Sequence, residues 1–174
     1  MIVLDATAFM LLVHPDAKPP TDPQTGTAVT QVRERFEFLE QEIQQSGETI
    51  LIPSPALAEV LVGLGDAGPA VIERLSRSAR FKIADFDTMA AVELAMMTRE
   101  AIRAGDKKGG STAHWQKVKI DRQIIAIART RGATKIYSDD EGLAKFASIL
   151  GIEVVQSWLM PLPPVDPQQG LFQD

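Results

Sequence analysis

Short apolar runs alternate along this chain with longer segments whose apolar residues recur every three or four positions. The runs Met1–Leu4, Thr49–Ile52, Phe81–Ala84, Thr134–Tyr137 and Ile152–Val155 read as buried strands. Between them, Ala28–Gln45 places Val29, Val32, Phe36, Leu39 and Ile43 at helical spacing. Ala56–Leu64, Val71–Ser78, Met89–Arg103, Val118–Arg131 and Leu143–Leu150 follow the same rule. Strands that alternate with helices predict an α/β fold with a parallel sheet covered on both faces. In such sheets ligands bind beyond the carboxyl ends of the strands, where the chain turns into the next helix.

The punctuation agrees with that division. Pro15–Pro23 holds four prolines and predicts a loop, and Gly47, Gly132 and Gly151 stand where helices should stop. The stretch Ala104–Thr112, AGDKKGGST, is a glycine-rich, partly basic excursion between two helices. After Val155 the prolines of SWLMPLPPVDPQQGLFQD exclude a helix or a central strand. We therefore expect one domain over residues 1–155 and a tail over 156–174, the tail wrapping the surface or docking through Trp158, Leu159 and Phe172.

Composition narrows the chemistry. With 174 residues, 45% of them hydrophobic, the chain can bury one substantial core. Its formal net charge of −5 repels nucleic acid overall, so such a partner needs a local basic patch or a bridging cation. The absence of cysteine removes disulfides, thiolate metal sites and cysteine nucleophiles together. MIVLDATAF carries neither a signal-peptide pattern nor a membrane anchor, so a cytoplasmic protein with no membrane contact is expected.

Carboxylates that interrupt apolar surroundings then draw attention, because an uncompensated buried charge costs several kcal/mol. Asp5 closes the first run, and Asp139 and Asp140 follow the fourth. Glu59 has Pro55, Ala56, Val62 and Gly63 one helical turn away, and Asp121 lies on the face of Ile124, Ile125 and Ala128. Each has a plainer reading. Asp5, Asp139 or Asp140 can cap a helix, Asp121 can answer a helix dipole, and Glu59 can pair with Arg33 or Arg74. If the first and fourth strands are neighbours in a parallel sheet, however, the two acids at strand ends and the two on helices can converge on one pocket. Clustered carboxylates repel one another unless a cation neutralises them, and Mg²⁺ or Mn²⁺ is the natural choice for an all-oxygen set.

In this order and spacing, IVLDATAF, PSPALAEVL, KIDRQIIAIA and YSDDEGLAKFA resemble the four motifs of the PIN domain, particularly the VapC-like ribonuclease toxins. The resemblance spans residue 2 to about 155. It implies a three-layer α/β/α sandwich with a five-stranded parallel sheet, and a Mg²⁺- or Mn²⁺-dependent endoribonuclease. By motif position Asp5, Glu59, Asp121 and Asp140 are the implied catalytic and metal-holding acids. Thr7 and Ser138 match the family's small hydroxyl positions, and Asp139 fills a variable one, as an outer group, a helix cap or an alternative ligand. A homodimer and an antitoxin partner are implied as well. The length of the Ala104–Lys119 excursion and the proline-rich tail depart from a compact toxin of this kind.

RNA would be gripped by the basic residues bordering the third acid, namely Arg103, Lys107, Lys108, Lys117, Lys119 and Arg122, although these also read as an ordinary solvated loop. Trp115 is expected to pack, and His14 and His114 lack a nucleophile or metal partner. A haloacid-dehalogenase-like phosphatase needs a second aspartate where Thr7 stands, and a receiver domain needs an aspartate after a middle strand. Neither pattern is met. A housekeeping PIN-type nuclease and a non-cleaving PIN-like module that binds RNA or protein stay open as alternatives.

Overall fold

The computed structural model describes residues 1–164. Five short strands, β1 (Ile2–Leu4), β2 (Ile50–Pro53), β3 (Phe81–Ala84), β4 (Lys135–Tyr137) and β5 (Glu153–Val155), form one sheet in the order β3-β2-β1-β4-β5. All four pairings are parallel. β1 is therefore central, with β4 beside it, the one arrangement that brings Asp5 near the Asp139–Asp140 pair.

Seven helices among the described residues cover the sheet: α1 (Ala6–Val13), α2 (Val32–Ser46), α3 (Ser54–Leu64), α4 (Gly68–Arg77), α5 (Thr88–Arg103), α6 (Trp115–Thr130) and α7 (Glu141–Ile149). Because side chains alternate across a strand, β1 feeds two cores at once. Ile2 and Leu4 join Phe9, Phe36, Ile43 and Val60 on one face, whereas Val3 joins Ile125, Ile127, Leu143 and Phe146 on the other. The sheet is thus the middle layer of an α/β/α sandwich, as expected.

Three boundaries differ from the sequence reading. α1 was not predicted, because Ala6–Val13 is apolar at every position but Thr7 and shows no period against which a polar face could be read. α2 begins at Val32 rather than Ala28: Val29 donates its amide to Pro20, Ala28 bridges Thr21, and Gln31 takes a left-handed φ of 54° that bars the helix from extending backwards. The packed unit also runs past Val155. A 3-10 turn at Ser157–Leu159 seats Trp158 against the first core, Met160 is buried there, and Arg35 donates to the Met160 carbonyl. The tail thus docks through Trp158 and Met160. Leu159 faces solvent, and Phe172 lies outside the described residues.

The span Ser54–Arg77 is long and apolar enough by composition to cross a membrane. It is instead α3, a 3-10 turn at Gly65–Ala67 and α4, with Leu57, Val60, Leu64, Val71 and Leu75 packed into the first core.

Candidate active site

Asp5 leaves the end of β1 and caps α1, accepting the Ala8 amide at 2.7 Å. Only 5% of it is exposed. Its other oxygen accepts the Ser138 hydroxyl from the end of β4. The same Ser138 oxygen accepts the Asp140 amide at 3.1 Å, and Asp140 in turn caps α7 by accepting the Leu143 amide at 2.7 Å. The helix-cap and site readings of these aspartates are therefore compatible: one oxygen anchors a helix start while the carboxylate stays beyond the sheet edge. Burial pushes the Asp5 carboxyl up to about 6, against the lowering bonds from Ser138 and Ala8, and the nearby charges of Asp139 and Asp140 push the same way.

Asp121 projects from α6 into the same space, and Glu59 from α3 lies exposed at its mouth. Neither Arg33 nor Arg74 reaches Glu59, since Arg33 pairs with Glu37 and Arg74 with Glu40. Asp5, Thr7, Glu59, Asp121 and Asp140 line one pocket of about 460 Å³, floored by Ala6, Ile120 and Ile124. A larger groove of about 570 Å³ runs between α1 and α2 and contains none of the four motif acids.

Lys117, one helical turn before Asp121, enters this pocket. Its ammonium lies 3.0 Å from Asp121 Oδ1 and 2.6 Å from Asp140 Oδ2. The two carboxyls respond in opposite directions. Burial dominates at Asp121 and raises it despite Lys117. At Asp140 burial is outweighed by the closer Lys117 and the Leu143 amide, which hold the group below its ordinary range. Among the described residues, no three histidine, cysteine or acidic side chains stand together in a way that would hold an ion. The donor set is nonetheless all hard oxygen, the chemistry that Mg²⁺ and Mn²⁺ prefer.

No family model matches the chain, and no curated protein matches it in sequence. Solved structures do. VapBC2 from Rickettsia felis, bound to a DNA fragment from its promoter, matches with a TM-score of 0.52 and 18% identity over 90% of this chain and 98% of that one. DNA-bound VapBC from Salmonella typhimurium gives 0.53 and 19% over 90% and 97%. VapC20 from Mycobacterium tuberculosis, a Sarcin-Ricin loop cleaving toxin, gives 0.52 and 13% over 92% and 100%. The chain has the VapC fold.

On this VapC fold the remaining predicted residues have divergent positions. Asp139 turns away from the pocket acids and accepts both the amide and the hydroxyl of Ser157, at 2.7 and 2.9 Å. It fastens the chain after β5, and the helix cap belongs to Asp140. Thr7 is exposed on the pocket wall, and Ser138 is buried.

The proposed RNA-binding set needs correction. Arg122 is 1% exposed and unavailable to a phosphate. Its guanidinium packs on Phe146 and Trp115 and donates to the Lys107 carbonyl and Thr98. It thereby clamps the 104–114 loop, whose Gly109 sits so close to Phe146 that a Cβ there would come within 2.6 Å of the ring. Lys108 donates to the Ala113 carbonyl, and Lys107 lies over the Trp115 ring. Lys117 is committed to the acids and is the one member of the set in an ion pair among the described residues; Arg103, Lys107, Lys108 and Lys119 form none. The sequence reading assigns Lys117 to RNA; its four-residue spacing from Asp121 is the signal that could have put this lysine beside an acid.

Proposed function

We propose that the chain is a divalent-metal-dependent endoribonuclease that hydrolyses RNA phosphodiester bonds as the toxin of a bacterial type II toxin–antitoxin pair. The convergence of Asp5, Glu59, Asp121 and Asp140 on one pocket at the carboxyl ends of β1 and β4 carries this reading. Asp5, Asp121 and Asp140, which line one pocket without standing together as ligands of an ion, are the side chains that would have to close on Mg²⁺ or Mn²⁺, with Glu59 at the mouth. When bound, such an ion supplies an activated water and neutralises charge developing on the phosphate. Ser138 sets the orientation of Asp5 and, through the Asp140 amide, of the α7 start. Glu59, which pairs with no arginine among the described residues, is the carboxylate that would steer the attacking water.

An antitoxin partner is supported by the VapBC complexes among the structural neighbours, and a cleaving toxin's role by the third, the Sarcin-Ricin loop cleaving VapC20. An RNA substrate, a homodimer and a cytoplasmic location belong to the same reading. Incubating the purified chain with structured RNAs in Mg²⁺, Mn²⁺ or EDTA tests the activity. Cleavage that EDTA abolishes and Asp5→Asn removes is the expected result, and cleavage that persists in EDTA overturns the metal-dependent assignment.

One observation favours a second reading, a PIN-like module that binds RNA or protein without cutting it: Lys117 stands between two of the four acids. Divalent-ion binding by the purified chain separates the two, because only the nuclease requires it.

A further inference from the structure

The position of Lys117 bears on how the pocket is loaded. Its ammonium meets carboxylates from two separate elements, Asp121 one turn along its own helix and Asp140 at the cap of α7. Half of the side chain is exposed, so its flexible stem can carry the charge back into solvent. The pocket it faces contains Asp5, Glu59, Asp121 and Asp140, with Lys117 the one cation among the lining residues. Asp121 Oδ1 and Asp140 Oδ2 are the oxygens that a hard dication would need. An ammonium on those oxygens and an ion of like charge on the same oxygens repel strongly at such distances.

We propose that Lys117 is the pocket's built-in counter-ion and competes with the divalent cation, so that it must leave Asp121 and Asp140 before the ion can take their oxygens. This rests on the metal-dependent reading of the pocket and adds to it a residue that sets the ion concentration at which the site fills. Without the ion, Lys117 neutralises part of an acidic cluster that would otherwise repel itself. The price of that neutralisation is weaker ion binding, and both effects follow from the same pair of contacts.

Calorimetric titration of the metal-stripped full chain with MnCl₂ tests it in the wild type, Lys117→Gln and Lys117→Arg. Removing two partly exposed ion pairs should tighten Mn²⁺ binding about tenfold in Lys117→Gln. Lys117→Arg, which keeps the charge, should stay near wild type. Equal or weaker binding by a folded Lys117→Gln overturns the proposal and leaves the metal site standing. No Mn²⁺ binding by any of the three overturns the metal site itself, and the proposal with it.

A second measurement needs no variant. Acetic anhydride labelling of the wild type, read by mass spectrometry, should modify Lys117 several-fold faster with Mn²⁺ than with EDTA, because the ammonium is released from its carboxylates. Labelling that is unchanged or slower with Mn²⁺ overturns the competition. A lysine that merely stabilises the fold would shift the melting temperature without moving either readout.

Discussion

Ser138 donates to Asp5 from β4 and accepts from the Asp140 amide, so a single buried hydroxyl ties the end of β1 to the start of α7. Removing it leaves a buried carboxylate one donor short. Ser138→Ala should lower unfolding stability by about 1–3 kcal/mol. Urea unfolding at neutral pH, read as the midpoint at constant slope, checks this. An unchanged midpoint would mean that the hydroxyl does not stabilise the Asp5 carboxylate.

Asp5 makes the metal-free fold sensitive to pH. Its carboxyl titrates at 3.8 when unfolded and about 6 when folded, so the folded state binds the extra proton between those values. The sign follows: this contribution to stability is complete below pH about 4 and is lost as pH rises through about 6. At pH 7.5 the cost approaches about 3 kcal/mol as an upper bound. Asp5→Asn in EDTA should therefore melt higher than wild type at pH 7.5, with the gap closing near pH 4, while RNA cleavage is lost. Thermal melts across that range provide the check.

Asp139 and Asp140 should separate cleanly. Asp140→Asn, in the pocket, is expected to reduce metal-dependent cleavage at least about 100-fold. Asp139→Asn weakens the hold on Ser157 and should cost about 1 kcal/mol of stability with cleavage close to wild type. Equal losses of activity in the two variants would mean that both aspartates serve the pocket.

Arg122 should behave as a core residue. Arg122→Met loses the donors to the Lys107 carbonyl and Thr98 and should destabilise by about 2–3 kcal/mol. It should leave the salt dependence of RNA binding unchanged. Lys119→Gln, by contrast, should flatten the slope of log affinity against log salt by about 0.7 if this lysine meets a phosphate. A flattened slope in Arg122→Met would restore the surface role that its burial denies.

The parallel α/β architecture was legible because its signals are local. The run ending at Leu4 was apolar on both faces, as a central parallel strand must be, and the three- and four-residue periods of Val32–Ile43 and Ile124–Ala128 marked covering helices. α1 was missed for the converse reason, since Thr7 alone interrupts its apolar residues and gives too little contrast to read. Asp5, Glu59, Asp121 and Asp140 could be named from their surroundings and motif order, but their meeting required β4 to lie beside β1, a long-range pairing.

What the sequence by itself determined is therefore the strands, the helices other than α1 and the identity of the acids: strand and helix periods are written in neighbouring residues. Tertiary structure alone decided how the charged side chains are used. Arg122 and Lys117 are both cations on α6, yet Arg122 is enclosed by Phe146 and Trp115 while Lys117 reaches Asp140 across to α7. Asp139 and Asp140 are adjacent, yet one fastens Ser157 and the other faces the pocket. These outcomes depend on which element packs against each side chain, and therefore on contacts between residues far apart in the chain.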